Sequence, residues 1–314
     1  MSKQVKIAYV NVPETGRLIV IGDIHGEGEL FERLLEKVAF CEMDTLIILG
    51  DLYLKGRAPQ KTLAYCMALS ECENVHVLRG NCDWGGDDFI TARELAWLED
   101  LPHIIETELY TFVHSGLTSA DLESQDPQVC IRYQNFMNVS VGFDKWVIVG
   151  HWPVSNYHLD IPNHNPFINR EKKIISIDGG MVIAPDGQLN ALIIENGEFS
   201  YDYVDEFPVT RFDFDQVQFG GTINVSFVDN KFQMLERRDD LCTILHLSSG
   251  KTLTVPTSAF YTNGENELCI SDMATDYHMP YTAGEEVQIV AEFDDRLFVK
   301  KHGICGWLLK EGAQ

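Results

Sequence analysis

Side chains that bind metal ions recur along the first half of the chain, each close to a glycine. They comprise two carboxylates, one amide and three imidazoles, namely Asp23, His25, Asp51, Asn81, His114 and His151. Mixed oxygen and nitrogen donors suit manganese, iron or zinc rather than magnesium or calcium alone. One carboxylate shared by two ions would hold them about 3.5–4 Å apart, which is the spacing in two-metal hydrolytic sites. The pattern therefore indicates a dinuclear metal centre.

Each of these side chains follows a short apolar run that is typical of a buried β-strand. The runs are Leu18–Ile21, Thr45–Leu49, Val75–Leu78, Thr111–Val113 and Val147–Val149. Between the first two runs, Leu30, Leu34, Leu35 and Val38 follow the spacing of an amphipathic helix. Alternating strands and helices predict a layered α/β domain, in which ligands bind at the carboxyl ends of the strands. The adjacent glycines allow the backbone to turn sharply there.

The pattern changes in the second half of the chain. Asp186-Gly187 and Asn196-Gly197 lie between alternating apolar segments and predict hairpin turns. From about residue 205 onward, alternation of apolar and polar residues predicts mainly β structure. We therefore expect two domains, residues 1–204 and residues 205–314.

Five sequence blocks occur in one order along the chain: GDIHG, GD-x-x-x-x-G, RGN-x-D, HSG and GH-x-P. Together they resemble the calcineurin-like metallophosphoesterase superfamily, in its protein serine/threonine phosphatase and diadenosine-tetraphosphatase branch. The resemblance covers residues 17 to about 204. It implies a four-layered α/β sandwich of two β-sheets flanked by helices, here followed by a mainly-β C-terminal domain. Residues 279–314 resemble the small bacterial Src-homology-like barrels.

The resemblance assigns a role to each candidate ligand. Asp23 and His25 would hold the first metal, and Asp51 would bridge both metals. The second metal would be completed by Asn81, His114 and His151. Manganese is the expected metal, with iron or zinc as alternatives. Asp178, in the segment SIDGGMV, is expected to be structural.

Two basic residues are the candidates for binding the substrate phosphate. The segment VCIRYQNF matches the place where the family keeps a phosphate-binding arginine, which points to Arg132. Lys55 offers positive charge near Asp51, although an ammonium lacks the bidentate fork of arginine.

Two departures from the family pattern affect the expected chemistry. The family's GDxxDRG is GDLYLKG here, so that Leu54 replaces its aspartate. The family's GNH is GNC here, so that Cys82 replaces its histidine. In the family, that histidine and aspartate form a dyad that protonates the leaving alkoxide. Cys82 is a catalytic thiol, an extra metal ligand or a small filler, and of these we expect the filler.

Two histidines after the GH-x-P block, His158 and His164, are alternative proton donors. The polar stretch around them predicts solvated loop residues instead. The sequence leaves this question open.

The expected function is a metal-dependent phosphatase in which a hydroxide bridging two metals attacks phosphorus. Without the dyad, it should favour good leaving groups or be slow, because general acid catalysis typically supplies about 10²–10⁴-fold. The alternative is a pseudophosphatase that binds metal and a phosphorylated ligand, with the C-terminal domain recruiting a protein partner. A third interpretation makes the metals structural.

Composition limits the partners. The net charge of −24 repels polyanions, so we expect no nucleic-acid partner. Phosphoproteins, nucleotides and small phosphoesters remain candidate substrates, because metal ions can reverse the local field. With no apolar signal block or long apolar run, we expect a cytoplasmic protein without membrane contact. We expect the eight cysteines to be reduced.

Overall fold

The computed structural model describes residues 4–13 and 15–310, and the chain forms two compact units. The first comprises residues 1–154, 165–183 and 187–205, and the second comprises residues 155–164, 184–186 and 206–314. The second unit thus takes two short segments from the first two thirds of the chain. The division into independent domains at residues 204 and 205 stays a prediction. A cut there would separate both short segments from the rest of their unit.

The first unit contains two sheets and four α-helices among its described residues. The strands are β1 (Ile7–Tyr9), β2 (Leu18–Ile21), β3 (Thr45–Ile48), β4 (Val75–Val77), β5 (Ile104–Glu106), β6 (Tyr110–Val113), β7 (Trp146–Val149), β8 (Phe167–Asn169), β9 (Ile174–Ser176), β10 (Leu189–Glu195) and β11 (Glu198–Val204). The five-stranded sheet has the order β11-β10-β2-β3-β4, and the six-stranded sheet has the order β1-β5-β6-β7-β9-β8. The helices are α1 (Gly28–Lys37), α2 (Pro59–Leu69), α3 (Ala92–Asp100) and α4 (Pro127–Arg132).

Parallel pairing brings the candidate ligands to common sheet edges. Strands β2, β3 and β4 are parallel neighbours in one sheet, and β6 is parallel to β7 in the other. Parallel neighbours end at the same edge, so the loops after them converge. The strand ends predicted to carry ligands therefore meet in two groups, one from each sheet.

The two sheets of this unit share one apolar core. Leu18, Val20 and Ile47 of the five-stranded sheet cluster with Phe112 and Ile148 of the six-stranded sheet, and all are buried. The opposite face of the five-stranded sheet packs against residues of α1, α2 and α3. Burying a Leu or Phe side chain contributes about 1.5–3 kcal/mol, so these layers hold the strand ends firmly in place.

The predicted helix through Leu30 and Val38 is confirmed as α1. The Asn196-Gly197 hairpin is also confirmed, because it joins the antiparallel strands β10 and β11, and both residues have positive φ, 52° and 79°. The hairpin at Asp186-Gly187 was wrong. It lies between β9 and β10, which belong to different sheets, so a local sequence signal for a turn did not specify strand pairing.

The second unit is built from strands, and its described residues after 205 contain no α-helix. One sheet comprises β12 (Val209–Thr210), β18 (Val287–Glu292), β19 (Arg296–Lys301) and β20 (Ile304–Leu309), a second comprises β13 (Phe232–Arg237), β14 (Leu241–His246) and β15 (Thr252–Pro256), and a third pairs β16 (Phe260–Thr262) with β17 (Leu268–Ile270). The chain as a whole is mixed α/β with several sheets and few helices. The four-layered sandwich and the terminal barrel stay predictions. Among the described residues, no helix is long and apolar enough to span a membrane.

Candidate metal centre

The six predicted ligands lie on loops that directly follow strands β2, β3, β4, β6 and β7 of the first unit. The Nε2 atom of His114 lies 3.4 Å from Oδ1 of Asp51 and 3.0 Å from Oδ1 of Asn81. The Nε2 atom of His25 lies 3.7 Å from Oδ2 of Asp51. Asp51 thus contacts ligands from both sheets, as a bridging carboxylate must.

Asp23 and His151 complete the group. The main-chain N–H of His151 donates to both carboxylate oxygens of Asp23, at 3.0 and 3.2 Å. The imidazoles of His151 and His114 have ring centroids 5.1 Å apart. Ligand atoms of Asp23, Asp51 and His114 all lie within 4.8 Å of one another. The structure therefore brings together all six residues that the sequence nominated.

Three of these ligands have a left-handed backbone. The φ angles are 49° at His25, 52° at Asp51 and 66° at His151. Such conformations cost non-glycine residues on the order of 1–3 kcal/mol each and cluster at functional sites. Glycines at positions 26, 50 and 150 adjoin these residues and help the loops to turn. The backbone is thus bent to point these side chains inward.

Electrostatics prepare the imidazoles to bind metal. Burial lowers the pKa of His25 to about 4 and, together with the nearby His114, that of His151 to about 3. Burial also lowers the pKa of His114, whose Nδ1 lies 2.9 Å from the carbonyl oxygen of Leu49. A neutral His114 donates its Nδ1–H to this carbonyl, which leaves the Nε2 lone pair facing Asp51. All three rings are therefore neutral near pH 7, the form that coordinates metal.

The carboxylates leave an excess of buried negative charge. Burial alone would raise the pKa of Asp51, but the imidazoles of His114 and His25 and a hydrogen bond from the Cys82 amide lower it overall. Burial and the neighbouring carboxylates of Asp178 and Asp51 raise the pKa of Asp23 well above its usual value. Divalent cations would relieve this repulsion, so the donor set fits two metal ions.

Asp83 holds the loops that carry Asp51 and Asn81, a role that the sequence did not suggest. Its carboxylate is fully buried and accepts hydrogen bonds from the main-chain N–H groups of Asp51, Leu52 and Gly80, at 2.8, 2.9 and 2.8 Å. The only hint in the sequence was that this residue is the aspartate of the RGN-x-D block.

Asp178 was expected to be structural, and its Oδ1 accepts the N–H of Gly180 at 2.8 Å.

The two predicted phosphate-binding residues flank the centre and are exposed. The positive charge of Lys55 is a smaller cause, after burial, of the lowered pKa of His25, His114 and His151. Its ammonium hydrogen-bonds with the Cys82 thiol. Arg132 ends α4, and its Nη2 donates to the carbonyl oxygen of Asn81 at 3.4 Å. Lys55 therefore lies beside Cys82 and Arg132 beside Asn81, and their binding of a phosphate stays a prediction.

An ion pair between the buried Glu27 and the exposed Arg57 lies beside the turn that follows Lys55. The carboxylate of Glu27 accepts hydrogen bonds from the Arg57 main-chain N–H, at 3.0 Å, and from its guanidinium. Glu27 is 6% exposed. Since the pair links the start of α1 to residues 55–57, it holds Lys55 in place, with a φ of 86°.

At the altered dyad positions, neither side chain is a usual proton donor. Leu54 is half-buried and packs against the apolar core around α1 and α2. Burial, and then the charge of Asp51, raises the pKa of the Cys82 thiol to about 12, and the thiol hydrogen-bonds with Asp51 and Lys55. Its sulfur also lies within 4.8 Å of ligand atoms of His25 and Asp51. The expected role of Cys82 as a small filler stays a prediction.

The alternative donors His158 and His164 belong to the second compact unit. The expectation of a solvated loop was wrong for His164, which is 1% exposed and pairs with Asp186 through Nε2 and Oδ2 at 3.0 Å. His158 is half-buried, and burial lowers its pKa. The polar sequence around these residues predicted exposure, although both side chains are at least half-buried.

Comparison with known proteins decides the family. The sequence profile of the calcineurin-like phosphoesterases matches residues 16–177. The chain belongs to the calcineurin-like metallophosphoesterase family. Members of this family use divalent metals at a dinuclear site. The family comprises metal-dependent phosphoester hydrolases.

Individual relatives match over part of the chain. The symmetrical bis(5'-nucleosyl)-tetraphosphatase of Delftia acidovorans is 46% identical over 67 residues, which are 21% of this chain and 23% of that protein. The structure of a serine/threonine phosphatase from Saccharomyces cerevisiae is 13% identical, with a TM-score of 0.45 over 65% of this chain and 85% of that one. A metallophosphoesterase from Sphaerobacter thermophilus is 18% identical, with a TM-score of 0.41 over 61% and 89%.

Replacing Gly150 by alanine should weaken metal binding by about 10–100-fold, the usual effect of disturbing the support of a ligand. An added Cβ would lie 2.2 Å from Oδ1 of Asp23, which must then move. Gly142→Ala is the matched control, because a Cβ there meets no atom within 4 Å. Manganese titration of both metal-free variants measures the effect. Equal affinities in the two would show that Asp23 is not a ligand.

Proposed function

We propose that the chain hydrolyses phosphoesters and phosphoanhydrides whose leaving groups need no protonation, at a dinuclear centre formed by its six predicted ligands. One observation carries this proposal: six donor side chains converge beside two exposed cations, while the two positions of the family's proton-donating dyad hold Leu54 and Cys82. The centre retains the parts that bind and polarise phosphate. It lacks the part that assists departure of a basic alkoxide.

The ligands divide into two sets that share Asp51. Asp23 and His25 would hold one ion, and Asn81, His114 and His151 would hold the other. When bound, the ions supply Lewis acidity and lower the pKa of a coordinated water. Because the donors are oxygens and neutral imidazoles, manganese is the expected metal.

Lys55 and Arg132 would hold the transferred phosphoryl group. Arg132 can offer two parallel N–H donors to a phosphate, whereas Lys55 acts as a compact point charge. The Glu27–Arg57 pair restrains the turn that contains Lys55. Part of the conformational entropy of Lys55 is therefore lost before the substrate binds. This positioning orients the phosphorus toward the metal ligands.

Leaving-group chemistry narrows the substrate class. General acid assistance typically supplies about 10²–10⁴-fold, and it matters most for strongly basic alkoxides. Aryl phosphates and phosphoanhydrides release weakly basic anions, so they lose little without it. The name of the Delftia relative points to dinucleoside tetraphosphates as first candidates, because their anhydride bonds release a nucleotide.

A pseudophosphatase is the second candidate, favoured by the same two substitutions at positions 54 and 82. The manganese-loaded full-length protein should hydrolyse nitrophenyl phosphate and diadenosine tetraphosphate, and Asp51→Asn should abolish both activities. Binding of the tetraphosphate without hydrolysis of either compound would favour the pseudophosphatase.

A further inference from the structure

A second group of potential metal ligands lies within the second compact unit. Its members are His164, Asp186 and Cys305, which come from three separate segments of the chain and are 1%, 3% and 0% exposed. One ligand atom of each lies within 4.8 Å of those of the other two. We call this group the His164 cluster. The phosphoesterase chemistry proposed above does not use it.

Main-chain hydrogen bonds place the three side chains together. The N–H of His164 donates to the carbonyl oxygen of Gly303 at 2.9 Å, and the N–H of Cys305 donates to that of Pro162 at 3.0 Å. Asn163 and Ile304 form an antiparallel bridge between these bonds. Lys300 of β19 donates from Nζ to the carbonyl oxygen of Asp186 at 2.9 Å. The backbone therefore builds the cluster without depending on attraction between its side chains.

The donors and their separations suit zinc. Imidazole, carboxylate and thiolate are the usual zinc ligands, with bonds of about 2.0–2.3 Å, so atoms around one ion lie roughly 3–4 Å apart. The Nε2 of His164 lies 3.0 Å from Oδ2 of Asp186. Ligand atoms of all three residues lie within 4.8 Å of one another, so binding one ion requires at most about 1 Å of further approach.

The local charges also suit a dication. The carboxylate of Asp186 and a thiolate of Cys305 would cancel the two charges of zinc, so that the buried complex carries no net charge of its own. Burial of such a neutral group avoids the large cost of burying an isolated ion.

We propose that the His164 cluster is a zinc site that stabilises the second compact unit. The site is distinct from the dinuclear centre in its residues. Zinc would link the short segments 155–164 and 184–186 to strand β20. Because the unfolded chain does not hold these ligands together, metal binding would add directly to the free energy of unfolding.

The test is zinc analysis of the full-length protein and of matched variants. Wild type and Asp51→Asn should each retain about one tightly held zinc per chain, while His164→Ala and Cys305→Ser should lose it. Cys269→Ser is the matched control, because Cys269 is also buried in the second unit and lies outside the cluster. It should keep its zinc. Equal zinc content in Cys305→Ser and Cys269→Ser would overturn the proposal.

Cobalt substitution tests the thiolate ligand directly. Cobalt bound to metal-free protein should give a near-ultraviolet sulfur-to-metal charge-transfer band that survives Cys82→Ser and disappears in Cys305→Ser. The reverse result would assign the thiolate to the dinuclear centre and overturn the proposal. If the cluster variants fail to fold, zinc is added instead to the metal-free Asp51→Asn variant. The added zinc must then raise the melting temperature of that variant. No rise there would equally overturn it.

Discussion

Replacing Asp51 by asparagine will lower the manganese bound by the protein from about two equivalents per chain to at most about one. Asp51 contacts His114 and His25, which belong to loops of different sheets. An amide keeps the size of the side chain but lacks the negative charge that lets one group bridge two cations. Equilibrium titration of the metal-free protein with manganese measures the change. Hydrolysis should fall together with the second equivalent.

The matched control is Asp144→Asn, which changes an exposed carboxylate of the same unit. It should bind manganese as the wild type does. Because the His164 cluster contains a thiol and prefers zinc, zinc content should be equal in both variants. Two full equivalents of manganese in Asp51→Asn would show that Asp51 does not bridge, and the proposed ligand assignment would be wrong.

The double variant Leu54→Asp with Cys82→His should raise the turnover of alkyl phosphates by about tenfold or more, within the range of general acid catalysis. Cys82 contacts Asp51 and Lys55, so an imidazole at this position would face the proposed position of the substrate phosphate. A carboxylate at position 54 would fix its tautomer and stabilise its cation. Turnover of nitrophenyl phosphate should change little, since its leaving group needs no proton.

The two single variants are the controls for this prediction. Neither should gain activity, because the imidazole and the carboxylate must act as a pair. Leu54 is half-buried against apolar neighbours, so metal content and melting temperature must be measured alongside. An equal gain with alkyl and aryl substrates would point to better substrate binding instead of proton donation.

The sequence predicted which side chains converge because its signals were local. Each ligand directly follows a buried strand, and parallel strands end at one edge, so the order of blocks implied their convergence. His114 and Asp51 are 63 residues apart in the numbering, yet their side chains lie 3.4 Å apart. The support of the ligands was harder to predict. Asp83 acts through three main-chain amides. The pattern of side chains in a sequence does not show which main-chain amides a given carboxylate will bind.

The C-terminal part of the chain was predicted as mainly β, with a small barrel over residues 279–314. The His164 cluster joins residues that are far apart in the sequence, and each of them lies in an unremarkable context. His164 stands in a polar stretch, Asp186 in a turn signal and Cys305 in a short strand. Their convergence depends on the pairing of residues 162–164 with 303–305. Long-range strand pairing of this kind is not encoded in local periodicity.

The most direct test of the proposed chemistry is the dependence of kcat/KM on the leaving group in the manganese-loaded wild type. A series from nitrophenyl through phenyl to alkyl phosphates varies the basicity of the departing oxygen while the phosphoryl group stays the same. With Leu54 and Cys82 in place of the dyad, kcat/KM should fall steeply as the basicity of the leaving oxygen rises. For alkyl esters it should be about 10²–10⁴-fold lower than in an enzyme that has a general acid. A nearly flat dependence would show that another residue donates the proton and would contradict the proposed mechanism.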